Sequence, residues 1–133
     1  AKEVYGPKDY PFQYDVVEVF IHVNGSKEGN LPYYEFEVTP FNQTLEVKIN
    51  DLSQPFELGI TTGAETVVTK TDKGWTGEFK IPLDKMGWTG DPKDIRGNFF
   101  GIFGKSPRTY WSLYLPPQKK AAFHKPEFFQ PLF

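Results

Sequence analysis

Residues 16–23 read VVEVFIHV and residues 33–38 read YYEFEV. Both stretches alternate with period two, the mark of strands whose faces differ. Val17, Val19, Ile21 and Val23 fall on one face of the first, and Val16, Glu18, Phe20 and His22 on the other. In the second, Tyr34, Phe36 and Val38 oppose Tyr33, Glu35 and Glu37. Asn24-Gly25-Ser26 follows the first as a turn, and Pro40 ends the second because a central strand cannot spare a backbone N–H.

The pattern continues outward. Residues 44–50 alternate again, with Leu45, Val47 and Ile49 sharing a face, and residues 56–60 and 65–71 read as weaker strands. Lys73-Gly74 is a hairpin turn leading into a strand over 75–81, closed by Pro82. Residues 84–86 form one helical turn stopped by Gly87. Residues 96–103 read RGNFFGIF, whose glycines indicate a bulge or a close backbone approach. Residues 109–115 are a further strand, and the tail from Phe123 is an extended segment packed on the domain. With 12 Gly and 12 Pro disfavouring long helices, the expectation is one domain over residues 1–133. It is an all-β, antiparallel β-sandwich of immunoglobulin or jelly-roll type with little helix, a closed barrel ranking second.

Composition removes several classes of function. Fifteen basic against 17 acidic residues give a net charge of −2, so no cationic surface is expected for a nucleic acid. The longest uncharged run, residues 109–118, contains two prolines and is far shorter than the roughly 20 apolar residues of a spanning helix. There is no cysteine, which excludes thiol catalysis, disulfides and thiolate metal sites.

Among the acids, Glu18 stands out, because a carboxylate among Val, Phe and Ile is costly unless a donor, a cation or a ligand hydroxyl satisfies it. Pairing of the two leading strands brings Glu18 and Glu35 toward each other on one face, a geometry that at ~5–9 Å serves glycoside hydrolysis. Glu37 reads as part of a solvated face. His22 reads as a structural histidine, while His124 sits among aromatic and proline neighbours. No His-x-x-x-His spacing or calcium-loop pattern is present, and Ser26, Ser53, Ser106 and Ser112 lie in no Gly-x-Ser-x-Gly context. The chain is therefore expected to be non-catalytic. Met86, the single methionine, reads as packing.

The rings are the better clue. Thirteen Phe, seven Tyr and three Trp exceed what a small core obviously needs. Tyr10, Phe12 and Tyr14 alternate before the first strand, and Trp111 stands between Tyr110 and Tyr114. Rings beside carboxylates suit a sugar: the C–H face of a pyranose lies on the ring while its hydroxyls bond to acid or amide groups.

Several motifs together resemble family-9 carbohydrate-binding modules and their bacterial relatives. They are Asp15-Val16-Val17-Glu18-Val19-Phe20; the run from Tyr33 to Thr39-Pro40-Phe41-Asn42; WTGEFKIPL over 75–83; Arg96-Gly97-Asn98-Phe99-Phe100; and Phe123-His124-Lys125-Pro126-Glu127-Phe128-Phe129. Their order agrees from about Tyr5 to Phe133. The resemblance implies an extracytoplasmic, secreted or periplasmic β-sandwich that binds sugars, including chain ends, with no cofactor beyond a compatible structural calcium. It implies a carbohydrate site drawn from Tyr14, Glu18, Glu35, Asn42, Trp111 and His124, in which Glu18 supplies the acidic contact and Trp111 the late aromatic. The early tryptophan of such modules has no counterpart; Tyr10, Phe12 and Tyr14 occupy that stretch. Such modules also carry strands ahead of the Asp15 strand, so a second copy, another polypeptide or a longer precursor is expected to supply that surface. Two other functions fit the same sandwich: a protein-interaction or structural domain without a sugar site, and a haem-binding DOMON-type domain using Met86 with a His or Lys.

Overall fold

The computed structural model describes residues 9–25 and 27–133; Tyr5 and Ser26 lie outside the described residues. Among the described residues nine strands form: β1 (Val16–His22), β2 (Tyr33–Val38), β3 (Thr44–Ile49), β4 (Glu57–Leu58), β5 (Glu65–Lys70), β6 (Trp75–Lys80), β7 (Arg96–Phe103), β8 (Thr109–Ser112) and β9 (Gln130–Pro131). The only helical pieces among the described residues are single short turns, including Leu83–Met86, which Gly87 ends at φ 83°. The architecture is the expected all-β sandwich. A main antiparallel sheet runs β4-β3-β2-β1-β7-β8, with β9 paired to the end of β7, and the β5-β6 hairpin makes a separate two-stranded sheet.

The register explains the alternation. β1 lies at the centre, with Glu18 opposite Glu37, Phe20 opposite Glu35 and Val19 opposite Phe36 on β2. On its other side Glu18 faces Phe100 and Phe20 faces Asn98 on β7. One face of this sheet carries Val19, Ile21, Val23, Tyr34 and Phe36, packed with Met86, Ile95, Phe79, Ile81 and Trp88. The opposite face carries Phe20, Tyr33, Leu45, Val47, Ile49 and Phe100, covered by Phe56, Leu115, Phe123 and Phe129. Burial of both faces is why β2 is buried at every position, although its sequence alternates aromatic and acidic residues.

Strand β7 needs its first glycine. A Cβ at Gly97 would sit 2.1 Å from the Phe20 carbonyl oxygen, and one at Gly101 would sit 2.5 Å from the Phe103 ring. The close backbone approach expected from RGNFFGIF is therefore found at Gly97, against β1, whereas the neighbour of Gly101 is the ring tip of Phe103 on β7 itself, which can swing aside.

The C-terminal segment is tied down by polar contacts as well as rings. Asn30 Nδ2 donates to the Pro126 carbonyl at 2.8 Å, and Arg96 Nη2 to the Phe129 carbonyl at 3.0 Å. Phe129, 1% exposed, stands edge-on to Phe20 and Tyr33. These contacts hold Phe123 and His124 over the acidic half of the sheet.

Candidate functional site: an acidic cavity under aromatic walls

Strand pleating places Glu18, Glu35 and Glu37 on one face of β1 and β2. One carboxylate oxygen from each comes within 4.8 Å of the others. They lie beneath a cavity of about 690 Å³ whose walls include Phe12, Phe56, Tyr110, Phe123 and His124. Such a volume falls in the range of small-molecule sites.

Each wall has a local cause. The turn Pro11–Gln13 follows Tyr10, whose N–H is held by the Gln13 side chain at 2.7 Å. Arg108 fixes that turn by donating to the carbonyls of Gln13 (2.8 Å), Tyr14 (2.8 Å) and Phe12 (3.2 Å). Phe12 is thereby presented at the rim, 39% exposed. On β8, Tyr110 pairs with Ile102 and so projects to the acidic face, 49% exposed. Phe123 stacks on Phe100 with centroids 4.4 Å apart. His124 lies 4.8 Å from the Phe56 ring and 4.9 Å from Phe20.

Burial governs the electrostatics. It pushes Glu18 up to about 9, helped by the neighbouring charge and hydrogen bond of Glu35 and opposed by Arg108. It pushes Glu37 up to about 8 and carries Glu35 well above the usual carboxylate range, with Glu37 beside it raising it further. Like charges this close cannot all ionise cheaply. His124 is held down to about 4 by burial. Its Nε2 lies 3.7 Å from Glu35, which at neutral pH is a contact between uncharged groups. Its Nδ1 meets the Tyr33 hydroxyl at 2.7 Å; with the hydroxyl donating there, the Nε2–H points toward Glu35. At neutral pH the floor is thus a set of uncharged groups, in which Tyr33, His124 and Glu35 are in contact.

The structure brings Glu18, Glu35 and His124 into this one cavity. Tyr14, Asn42 and Trp111 do not line it, although Trp111 borders an adjoining cavity of about 530 Å³ that Tyr110 and Phe123 also line. Trp111 pairs with Gly101, one position out of phase with the Phe100–Glu18 row, so it projects to the opposite face. There it borders an apolar groove of about 400 Å³ with Trp75, Phe79 and Phe103. Asn42 occupies the turn after β2 at φ 59° and exchanges hydrogen bonds with Thr66, whose hydroxyl donates to Asn42 Oδ1 at 2.6 Å. Tyr14 donates to Asp9 at 3.0 Å, while the turn before it sends Phe12 to the cavity.

Glu37 also departs from expectation: at 1% exposed it belongs to the buried floor and not to a solvated face. The sequence did carry a signal for it, since Glu37 has the same parity as Glu35 and lies opposite Glu18 once the strands pair. His22 is buried, with Nδ1 at 2.7 Å from the Pro32 carbonyl. Met86 packs under the hairpin, on the face opposite both histidines.

These features define an all-β sandwich with an acidic, ring-walled cavity on one face of its main sheet. No family model, curated protein or solved structure matches the chain.

Proposed function

We propose that the cavity binds a carbohydrate without chemical conversion, the sugar resting against Phe12, Phe56, Tyr110 or Phe123 while its hydroxyls reach Glu18, Glu35, Glu37 and His124. The observation that supports this reading is the division of the site into apolar ring walls and a floor of uncharged carboxyl groups. A neutral carboxyl both donates and accepts, which suits hydroxyls better than an anion or an aliphatic ligand. The aromatic rim is the counterpart for the C–H face of a pyranose ring. Tyr110, Ala121 and Phe123 are shared with an adjoining cavity of about 530 Å³, which gives a second sugar unit room to follow the first.

Titration calorimetry with mono- and disaccharides, preceded by a glycan array, tests this. Saturable binding with Kd between ~1 μM and ~1 mM, weakened by Tyr110→Ala and Phe56→Ala, is the expected result. An array without a single hit defeats it. The competing reading, an interaction domain, draws on the apolar groove beside Trp75 and Trp111; capture of a protein partner that Trp111→Ala abolishes, with no glycan bound, selects that reading.

A further inference from the structure

We propose that Glu18, Glu35 and Glu37 form a binding site for a hard divalent cation at the floor of the cavity. Their three contributing oxygens lie within 4.8 Å of one another. Two oxygens sharing an ion at ~2.1–2.6 Å are at most about 5 Å apart, so the triad already has the spacing of a common ligand set. All three donors are carboxyl oxygens, which a bound cation converts to carboxylates by displacing their protons, the chemistry preferred by calcium, magnesium and manganese.

Proximity of acids alone would not carry this. The independent observation is the state of Glu37. It is 1% exposed, it lines the cavity, and among the described residues neither of its oxygens has a partner in full hydrogen-bond geometry, the Phe12 backbone and the Glu35 carboxyl making only weaker contact. Buried polar atoms are nearly always paired, and each exception requires an explanation. A proton shared between Glu37 and Glu35 joins only those two residues. A cation at the centre of the triad engages all three residues together.

Among the described residues no side chain takes that role, and the only basic group among them in ion-pair range of the triad is His124, near Glu35. Arg108 commits both terminal nitrogens to three backbone carbonyls and makes no ion pair with the triad, although its charge partly offsets the burial of Glu18. A hard cation takes six or more oxygen ligands. Three glutamates leave positions open toward the cavity, where water or ligand hydroxyls complete the shell. The site stands whether or not the cavity's organic ligand is a sugar.

The test uses the full chain stripped with a chelator and then titrated with CaCl2, MnCl2 or MgCl2 alone, followed by calorimetry and thermal melting. At least one ion is expected to bind saturably at one per chain, with Kd at or below ~1 mM, and to raise the melting temperature with concentration. Glu18→Gln and Glu37→Gln are each expected to weaken binding about tenfold or more while keeping the circular dichroism of the parent. As a measurement independent of any variant, Mn2+ should broaden the amide resonances of residues 18, 35 and 37 first. Absence of saturable binding by about 10 mM for all three ions overturns the inference. So does undiminished affinity in both Glu18→Gln and Glu37→Gln, or broadening centred elsewhere. Ion binding without glycan binding removes only the sugar reading, and glycan binding without any ion removes only this one.

Discussion

Glu18 on β1 stands directly opposite Glu37 on β2, and both side chains are buried, 4% and 1% exposed. Like charges directly across a ladder destabilise a sheet, and burial without a counter-charge adds to the cost. A protein that keeps this pair holds it protonated, or bound to something, under the conditions in which it is stable.

Stability of the metal-free protein should therefore fall as pH rises. Glu18 and Glu37 have folded values of about 9 and about 8, above their ordinary 4.5. The folded state binds more protons than the unfolded state between those limits, so their contribution is complete below about 4.5 and is lost as pH rises through 8 to 9. His124, with a folded value lowered to about 4 from 6.5, acts oppositely, removing stability as pH drops below 6.5. Between pH 7 and pH 9 it is silent. Urea midpoints in chelator should thus be lower at pH 9 than at pH 7, and a midpoint that rises refutes the assignment.

Glu37→Gln keeps the volume and removes the titrating group. In chelator at pH 9 the variant should be at least as stable as the parent, and its stability should vary less with pH. Marked destabilisation at pH 9 would show that the Glu37 carboxylate has a structural partner after all. The comparison requires only denaturation curves at two pH values.

The two faces of β8 separate the ring that faces the acids from the ring that does not. Tyr110→Ala should weaken binding of a monosaccharide, which the acidic cavity holds alone, by about 1–2 kcal/mol, in the range of one ring contact, while Trp111→Ala, at a residue that lines only the adjoining cavity and the groove, leaves it nearly unchanged. The reverse ranking would move the site to the groove beside Trp75. Calorimetry on both variants decides.

Gly97→Ala tests the β1–β7 contact. Its Cβ would stand 2.1 Å from the Phe20 carbonyl oxygen, and backbone cannot yield as a side-chain tip does. A loss of about 3 kcal/mol or more is expected. Gly74→Ala, where a Cβ meets nothing within 4 Å, is the control and should change stability little. Chemical denaturation of the two variants measures the difference.

Much of the fold is legible along the chain. Alternation marks β1, β2 and β3 to within a residue at each end, because a pleated strand writes its period directly into the sequence. Gly87 and Pro82 mark the turn Leu83–Met86 for equally local reasons. The strands anticipated at 56–60 and 109–115 shorten to Glu57–Leu58 and Thr109–Ser112. Both lie at the ends of the main sheet, where pairing on one side alone gives a strand less to hold it.

The site was less legible. Alternation marks Glu18 as sharing a strand face with Phe20, and Glu35 with Glu37, but not what would cover those faces. Glu37 was misplaced because an acid on an alternating strand ordinarily faces water. Here Phe123, His124 and Phe129, some ninety residues along the chain, close over that face.

What the sequence determined by itself is which side chains share a strand face, since that depends only on the geometry of neighbouring residues. Which faces meet was decided by tertiary structure alone: the register that sets Glu18 against Glu37, the half-step that turns Trp111 away, and the C-terminal segment that walls the acids in. Each of these is a pairing between distant segments. It is fixed by the free energy of burying both partners together, and no local period encodes it.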